Sequence, residues 1–177
     1  VLHFNNKASE TFDKVIVATG GSPKRSGLEW LETLGHEIKN PVPSLFTFKI
    51  PKNDITKLMG IAVKSALVTV QGTKLKQCAP LLITHWGMSG PAILKLSAFG
   101  ARILSDRNYQ FKAQVNWTGI QNVNLVFENL ENIAKKHPNK LLQNAKPFDL
   151  SERLWLFLLS KAELSHQKKW GELGKKA

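Results

Sequence analysis

Hydrophobic and polar positions along the chain follow three successive patterns. The first begins with two short strand-like runs, "VLHF" at Val1–Phe4 and "KVIVA" at Lys14–Ala18, divided by a polar stretch suited to a hairpin. The second run is apolar at four successive positions, Val15 to Ala18. A strand of that kind is ordinarily covered on both faces, as in the sheets of α/β folds. After the turn "TGG", Leu28, Leu31 and Leu34 recur at helical spacing and Gly35 stands where a helix would stop. Strand, glycine turn and helix in that order make the part of an α/β unit where ligands lie, beyond the carboxyl ends of strands.

Pro41 and Pro43 then force an extended stretch and mark a boundary. Beyond them the pattern alternates. In "LFTFKI", Phe46, Phe48 and Ile50 share a face; "IAVKSALVTVQ" reads as a strand, or as a strand with a bulge. "KLKQCAPLLITHW" reads as two short extended runs parted at Pro80. Clearest is "YQFKAQVNW", where Tyr109, Phe111, Ala113, Val115 and Trp117 alternate with polar residues, as in a half-buried antiparallel strand. Several such strands around one helix suggest a small barrel or sandwich.

Between these strands lies "LLITHWGMSGPAILKLSAFGARIL". Ser89 can cap a helix there, Pro91 suits its first turn, and Ala92, Ile93, Leu96, Phe99 and Ile103 supply an inward face. From about Asn122 the period is helical again. Val123, Phe127, Leu130 and Ala134 mark a helix ending before Pro138. "FDLSERLWLFLLSKAEL" opens on an Asp or Ser cap and is apolar on nearly all sides from Leu154 to Leu159, so it needs a partner element, or a second copy of the chain. Nothing obvious is left to cover Trp170.

Composition narrows the classes. The longest apolar run, "LWLFLL", is far short of the ~18 residues of a membrane span. The chain starts at Val1 without Met or a signal pattern, so both ends look cut from a longer protein. A single cysteine, Cys78, excludes an internal disulfide and favours a reducing cytoplasm. The histidines at 3, 36, 85, 137 and 166 offer no metal-ligand spacing. Net charge is +12, concentrated in residues 49–112 with ten basic and two acidic residues. A basic stripe can signal nucleic acid, but these lysines are scattered and do not alternate with stacking aromatics, which favours a solvated surface.

Two features could carry chemistry. Thr19, Gly20 and Gly21 would let an anion approach free backbone N–H groups, although many plain turns contain two glycines. No GxGxxG accompanies them: Gly87 and Gly90 have only the last spacing, so the chain has no dinucleotide site of its own. Thr84, His85 and Ser89 lie in or beside a strand-to-helix turn. No Asp or Glu occurs in residues 55–105 to complete a local Ser-His-acid set, and no catalytic residue can be assigned. Trp86 and Trp117 read as core or interface aromatics.

"DKVIVATGGSP", a helix ending in "LGHEI", the exit "PVPSL", and then "THWGMSGPAILKLS" occur in the order found in a family of bacterial flavoproteins, the NAD(FAD)-utilising dehydrogenases, which include enzymes reducing 3-dehydro bile acids. The chain resembles that family over most of its length, most distinctively at Thr84–Pro91, and its "ERLWLFLL" is similar to the family's helical segment. After Gly21 the family often has a longer Ser/Gly-rich turn, where this chain has the short, basic "SPKRSG". The resemblance implies an α+β chain: residues 1–43 a piece of an α/β FAD-binding domain, 44–120 a β-barrel-like insert, and 121–177 the insert's helical part. It implies FAD beside Ala18, Thr19, Gly20 and Gly21, with the flavin retained only in the longer parent. It further implies a substrate pocket near Thr84, His85 and Ser89, and NAD(P)H as electron donor. The partners implied are the rest of the FAD-binding domain and a small organic substrate. A basic module gripping RNA or another polyanion, and an insert serving self-association, remain the alternatives.

Overall fold

The computed structural model describes residues 1–174. It divides into two compact units, Val1–Pro41 and Val42–Ala177. In the first, β1 (Leu2–Phe4) pairs antiparallel with β2 (Lys7–Glu10) across the turn Asn5–Asn6. The hairpin therefore closes on the polar stretch "KASE" and not on "KVIVA". The expected strand over Lys14–Ala18 does not form. A strand exists only where its N–H and C=O groups find a ladder partner, and none of the described residues pairs with this run. Ile16 stands 92% exposed. The following helix is shorter than its spacing predicts: a 3-10 turn at Arg25–Leu28 leads into α1 (Glu29–Glu32). Its stop is as expected. The N–H of Gly35 donates to Glu32 O and that of His36 to Leu31 O, the paired closure of a Schellman end. Leu28 and Leu31 are half-buried and Leu34 is exposed.

The second unit is built on one curled, five-stranded antiparallel sheet, with several helices against it. Its strands are β3 (Phe48–Lys49), β4 (Ala62–Val70), β5 (Lys76–Thr84), β6 (Gly87–Ser89) and β7 (Ala113–Asn116), in the order β3-β6-β5-β4-β7. The bulge suspected in "IAVKSALVTVQ" is present. Register shifts between Val63, opposite Leu81, and Ala66, opposite Ala79, so Lys64 and Ser65 together face Pro80. Because side chains alternate with a period of two, one extra residue moves the buried set from Val63 to Ala66, Val68 and Val70. The same bulge explains why β5 runs unbroken through Pro80, where two runs were expected. Proline lacks an N–H, and it lies where the ladder is already interrupted.

α2 (Pro91–Phe99) starts with Pro91 in its first turn as anticipated, but Gly90, not Ser89, occupies the cap position. Ser89 is held instead as the last residue of β6, opposite Leu82. Gly100 separates α2 from α3 (Ala101–Asp106). Ala92, Ile93 and Leu96 pack inward as expected. Phe99 and Ile103 do not, since they lie at the margin of the buried arc, which Ala101 and Leu104 occupy. The expected strand over 109–117 is regular only in its second half, with Val70 opposite Ala113 and Leu67 opposite Asn116. Its first half departs because Asn108 and Tyr109 adopt φ of 51° and 56°.

α4 (Val123–Lys136) is capped by the Asn122 side chain, which accepts from Asn124 N–H, and ends before Pro138. Its apolar face is covered only toward the C-terminus. Leu130, Ile133 and Ala134 pack on a small cluster of Leu142, Leu159 and Trp170, while Val123 and Phe127 stay exposed. α5 (Glu152–Lys161) is capped by Ser151 and fits between two cores. Leu154 joins the main core of sheet and α2, while Leu159 joins the smaller cluster, which explains a helix apolar on nearly all sides. Burying such leucines stabilises by ~1.5–3 kcal/mol each. Trp170 is covered after all: it is 2% exposed and stacks on Trp155, with centroids 6.1 Å apart and planes 4° from parallel.

Candidate functional site

Three places bear on function. The first is the glycine turn of the N-terminal unit. Ala18, Thr19, Gly20 and Gly21 are exposed and belong to neither strand nor helix. Gly20 has φ 79°, and a Cβ built on Gly20 or Gly21 would meet nothing within 4 Å. The turn thus leaves room for a bulky group to approach its backbone.

The second is the hairpin between β5 and β6. Thr84 and Gly87 face each other, and His85 and Trp86 form the tip. Thr84 is buried, and its Oγ1 accepts from Gly87 N–H at 3.2 Å, so it shapes the turn. His85 is exposed, with its ring edge-on to Trp86 at 4.3 Å. Trp86 Nε1 donates to Thr47 Oγ1 at 3.2 Å, tying the tip to the segment before β3. Ser89 is half-buried in the ladder. The three expected pocket residues therefore share a hairpin, with Ser89 on its rear arm, and the strand-to-helix turn begins only at Gly90. Close approach makes Gly87 necessary here, since its Cβ position lies 2.1 Å from Phe48 O and its φ is 154°.

The third place was not anticipated as a site. β3 and β7 are the two ends of the curled sheet, and aromatic rings beside them meet across the gap, while among the described residues no ladder pairs the two strands. Phe46 meets Tyr109 edge-on at 5.5 Å, and Phe48 meets Phe111 at 4.8 Å. A groove of 710 Å³ opens along this seam, with Lys49 and Lys112 among its lining residues and no carboxylate. The sequence displayed these aromatics as alternation in "LFTFKI" and "YQFKAQVNW". Alternation separates an inner from an outer face, but it cannot show that both segments lie at sheet ends.

Charge is spread over exposed positions. Lys64 pairs with Asp149 at 3.0 Å, and Lys57 with Asp54 at 2.8 Å. The hydrogen bond from Lys57, and then its charge, hold the Asp54 carboxyl below its ordinary value, while Asp54 raises Lys57. Among the described residues no cluster of His, Cys, Asp or Glu could hold a metal ion, and no helix is long and apolar enough to cross a membrane.

Residues 42–177 match the family model "HI0933-like protein barrel and H2TH domain". The chain is also 29% identical over 152 residues to the ribosomal RNA dihydrouridine synthase of Escherichia coli (strain K12); the match covers 80% of this chain and 35% of that protein. The chain thus spans about a third of the length of this relative. A curled antiparallel sheet with helices in 42–177 is the architecture that the family description names. The chain belongs to the HI0933-like barrel and H2TH family, a module of the FAD-binding flavoprotein oxidoreductases.

Proposed function

We propose that this chain is the substrate-engaging part of a longer FAD-dependent oxidoreductase whose substrate is RNA. The observation that carries the reading is a flavoprotein-family barrel over 42–177 in the same chain as the open Ala18–Gly21 turn. Two further facts support it. The relative that shares 29% identity is named for action on ribosomal RNA. Residues 49–112 carry ten basic and two acidic side chains, a surplus suited to phosphate.

In the longer protein, FAD would lie beside Ala18, Thr19, Gly20 and Gly21, and the elements completing that domain would cover Val15 to Val17. When bound, the flavin supplies the two-electron reduction, with NAD(P)H as electron source. The residues of this chain bind and orient the substrate, with the hairpin bearing Thr84, His85 and Ser89 serving the pocket. Binding of a fluorescein-labelled unstructured RNA, followed by anisotropy, tests the RNA half. Affinity should fall steeply between about 50 mM and about 200 mM salt as counterions compete. A flat response would reject RNA and return the substrate to a small organic molecule. The FAD half is tested by colour: the isolated chain should be colourless, whereas a protein extended to the length of the relative should carry flavin absorbance.

A further inference from the structure

We infer that the aromatic seam between β3 and β7 is the place where an unpaired stretch of RNA is held, with a base against Tyr109 and phosphates on Lys49 and Lys112. This rests on the RNA reading above and adds where, and in what form, the RNA binds. The groove has the volume of a small-molecule site, since 710 Å³ lies inside the usual ~300–1,000 Å³. Its chemistry is that of a single-strand site, a set of π-faces bordered by cations. Tyr109 is 38% exposed and meets Phe46 edge-on, while Phe48, which meets Phe111 farther along the seam, is 5% exposed and anchored in the core, so the seam pairs an accessible ring with a fixed wall. No carboxylate lines it, although the chain has thirteen Asp and Glu in all. That is the sign of charge a phosphate backbone needs.

The seam is also built in advance. Buried Ser97 Oγ accepts from Phe46 N–H at 2.9 Å, fixing the β3 side from α2. On the other side, Tyr109 N–H donates to Leu104 O at 2.8 Å and Gln71 N–H to Lys112 O at 2.9 Å. Positive φ at Leu45, Lys52, Asn108 and Tyr109 brackets both walls. Such backbone is strained and persists where the surroundings enforce it, as at ligand sites. A duplex has no unstacked base to offer such a seam.

The test uses the 177-residue chain and a labelled single-stranded oligouridylate, with an RNA duplex of equal length as comparator. Tyr109→Ala should weaken single-strand binding by about fivefold to about 150-fold, the equivalent of ~1–3 kcal/mol per stacked base, with little change in salt slope. Lys49→Ala/Lys112→Ala alters two exposed side chains, so it folds even if Tyr109→Ala does not, and should lower the slope by about 1.4. Lys95→Ala/Lys136→Ala, equal in charge and outside the groove, should keep the wild-type slope. If both groove variants bind like wild type while Lys95→Ala/Lys136→Ala binds more weakly, the seam assignment falls and the RNA reading survives. If the wild-type chain binds no RNA at low salt, both fall. Preference for the duplex overturns the single-strand site. A dimer that becomes monomeric on Tyr109→Ala would give the seam to a second copy, and that too overturns it.

Discussion

Replacing Gly87 by alanine should detach one wall of the barrel. β3 is held to the sheet by two ladder positions, Phe48 opposite Met88 and Lys49 opposite Gly87, continued by Ile50 N–H to Trp86 O at 2.8 Å. An alanine Cβ at 87 would sit 2.1 Å from Phe48 O and 2.9 Å from Ile50 N. Ordinary contact begins near 3.4 Å, and both obstacles are backbone, so β3 itself must move by more than an ångström. Left-handed φ for a residue with a Cβ costs ~1–3 kcal/mol and overpacking a further ~1–3 kcal/mol, so a loss of about 3 kcal/mol is a conservative sum. For a unit of this size each kcal/mol lowers the midpoint by about 3 °C, giving about 10 °C by thermal unfolding followed by circular dichroism. Gly20→Ala is the control. Its φ of 79° imposes backbone strain, but its Cβ meets nothing within 4 Å, so its midpoint should fall far less. A Gly87→Ala midpoint within about 1 °C of wild type would refute the docking of β3 on β6, and with it the seam.

Leu154→Ala, at a position 0% exposed, should cost ~2–5 kcal/mol in chemical denaturation, because α5 links both cores. Trp155 Nε1 donates to Leu142 O at 2.7 Å, so Trp155→Phe should cost ~1–3 kcal/mol by leaving that carbonyl unpaired, whereas Trp170→Phe removes an indole N–H that has no partner among the described residues and should cost less. Ser97→Ala should lower stability by ~1–3 kcal/mol and speed amide exchange at Phe46, whose N–H it leaves unpaired. The Asp54–Lys57 pair follows a defined sign: Asp54 is lowered, so any contribution is full above its ordinary value and is lost as pH falls through the lowered one. Both groups are exposed, so Lys57→Ala should leave the acid limb of a stability–pH curve unchanged.

Much of the barrel was legible along the chain because its signals are local. Apolar positions at 61 and 63, then at 66, 68 and 70, record a phase change that only an extra residue can produce, and the bulge is there. Gly35 ending α1, Pro91 opening α2 and Ser151 capping α5 are likewise matters of one turn of backbone. What the sequence could not decide was pairing between distant segments. "KVIVA" has a strand's composition, yet composition cannot supply the ladder partner that makes a strand. Pro80 looked like a break because the bulge that tolerates it lies on β4, fifteen residues earlier at Ser65. The seam is the strongest case. Phe46 and Tyr109 are 63 positions apart, and only the order β3-β6-β5-β4-β7 leaves their two segments at opposite ends of one sheet, curled until the rings meet. Side-chain alternation fixes which face of a strand is apolar, whereas the curl of the whole sheet decides what that face meets.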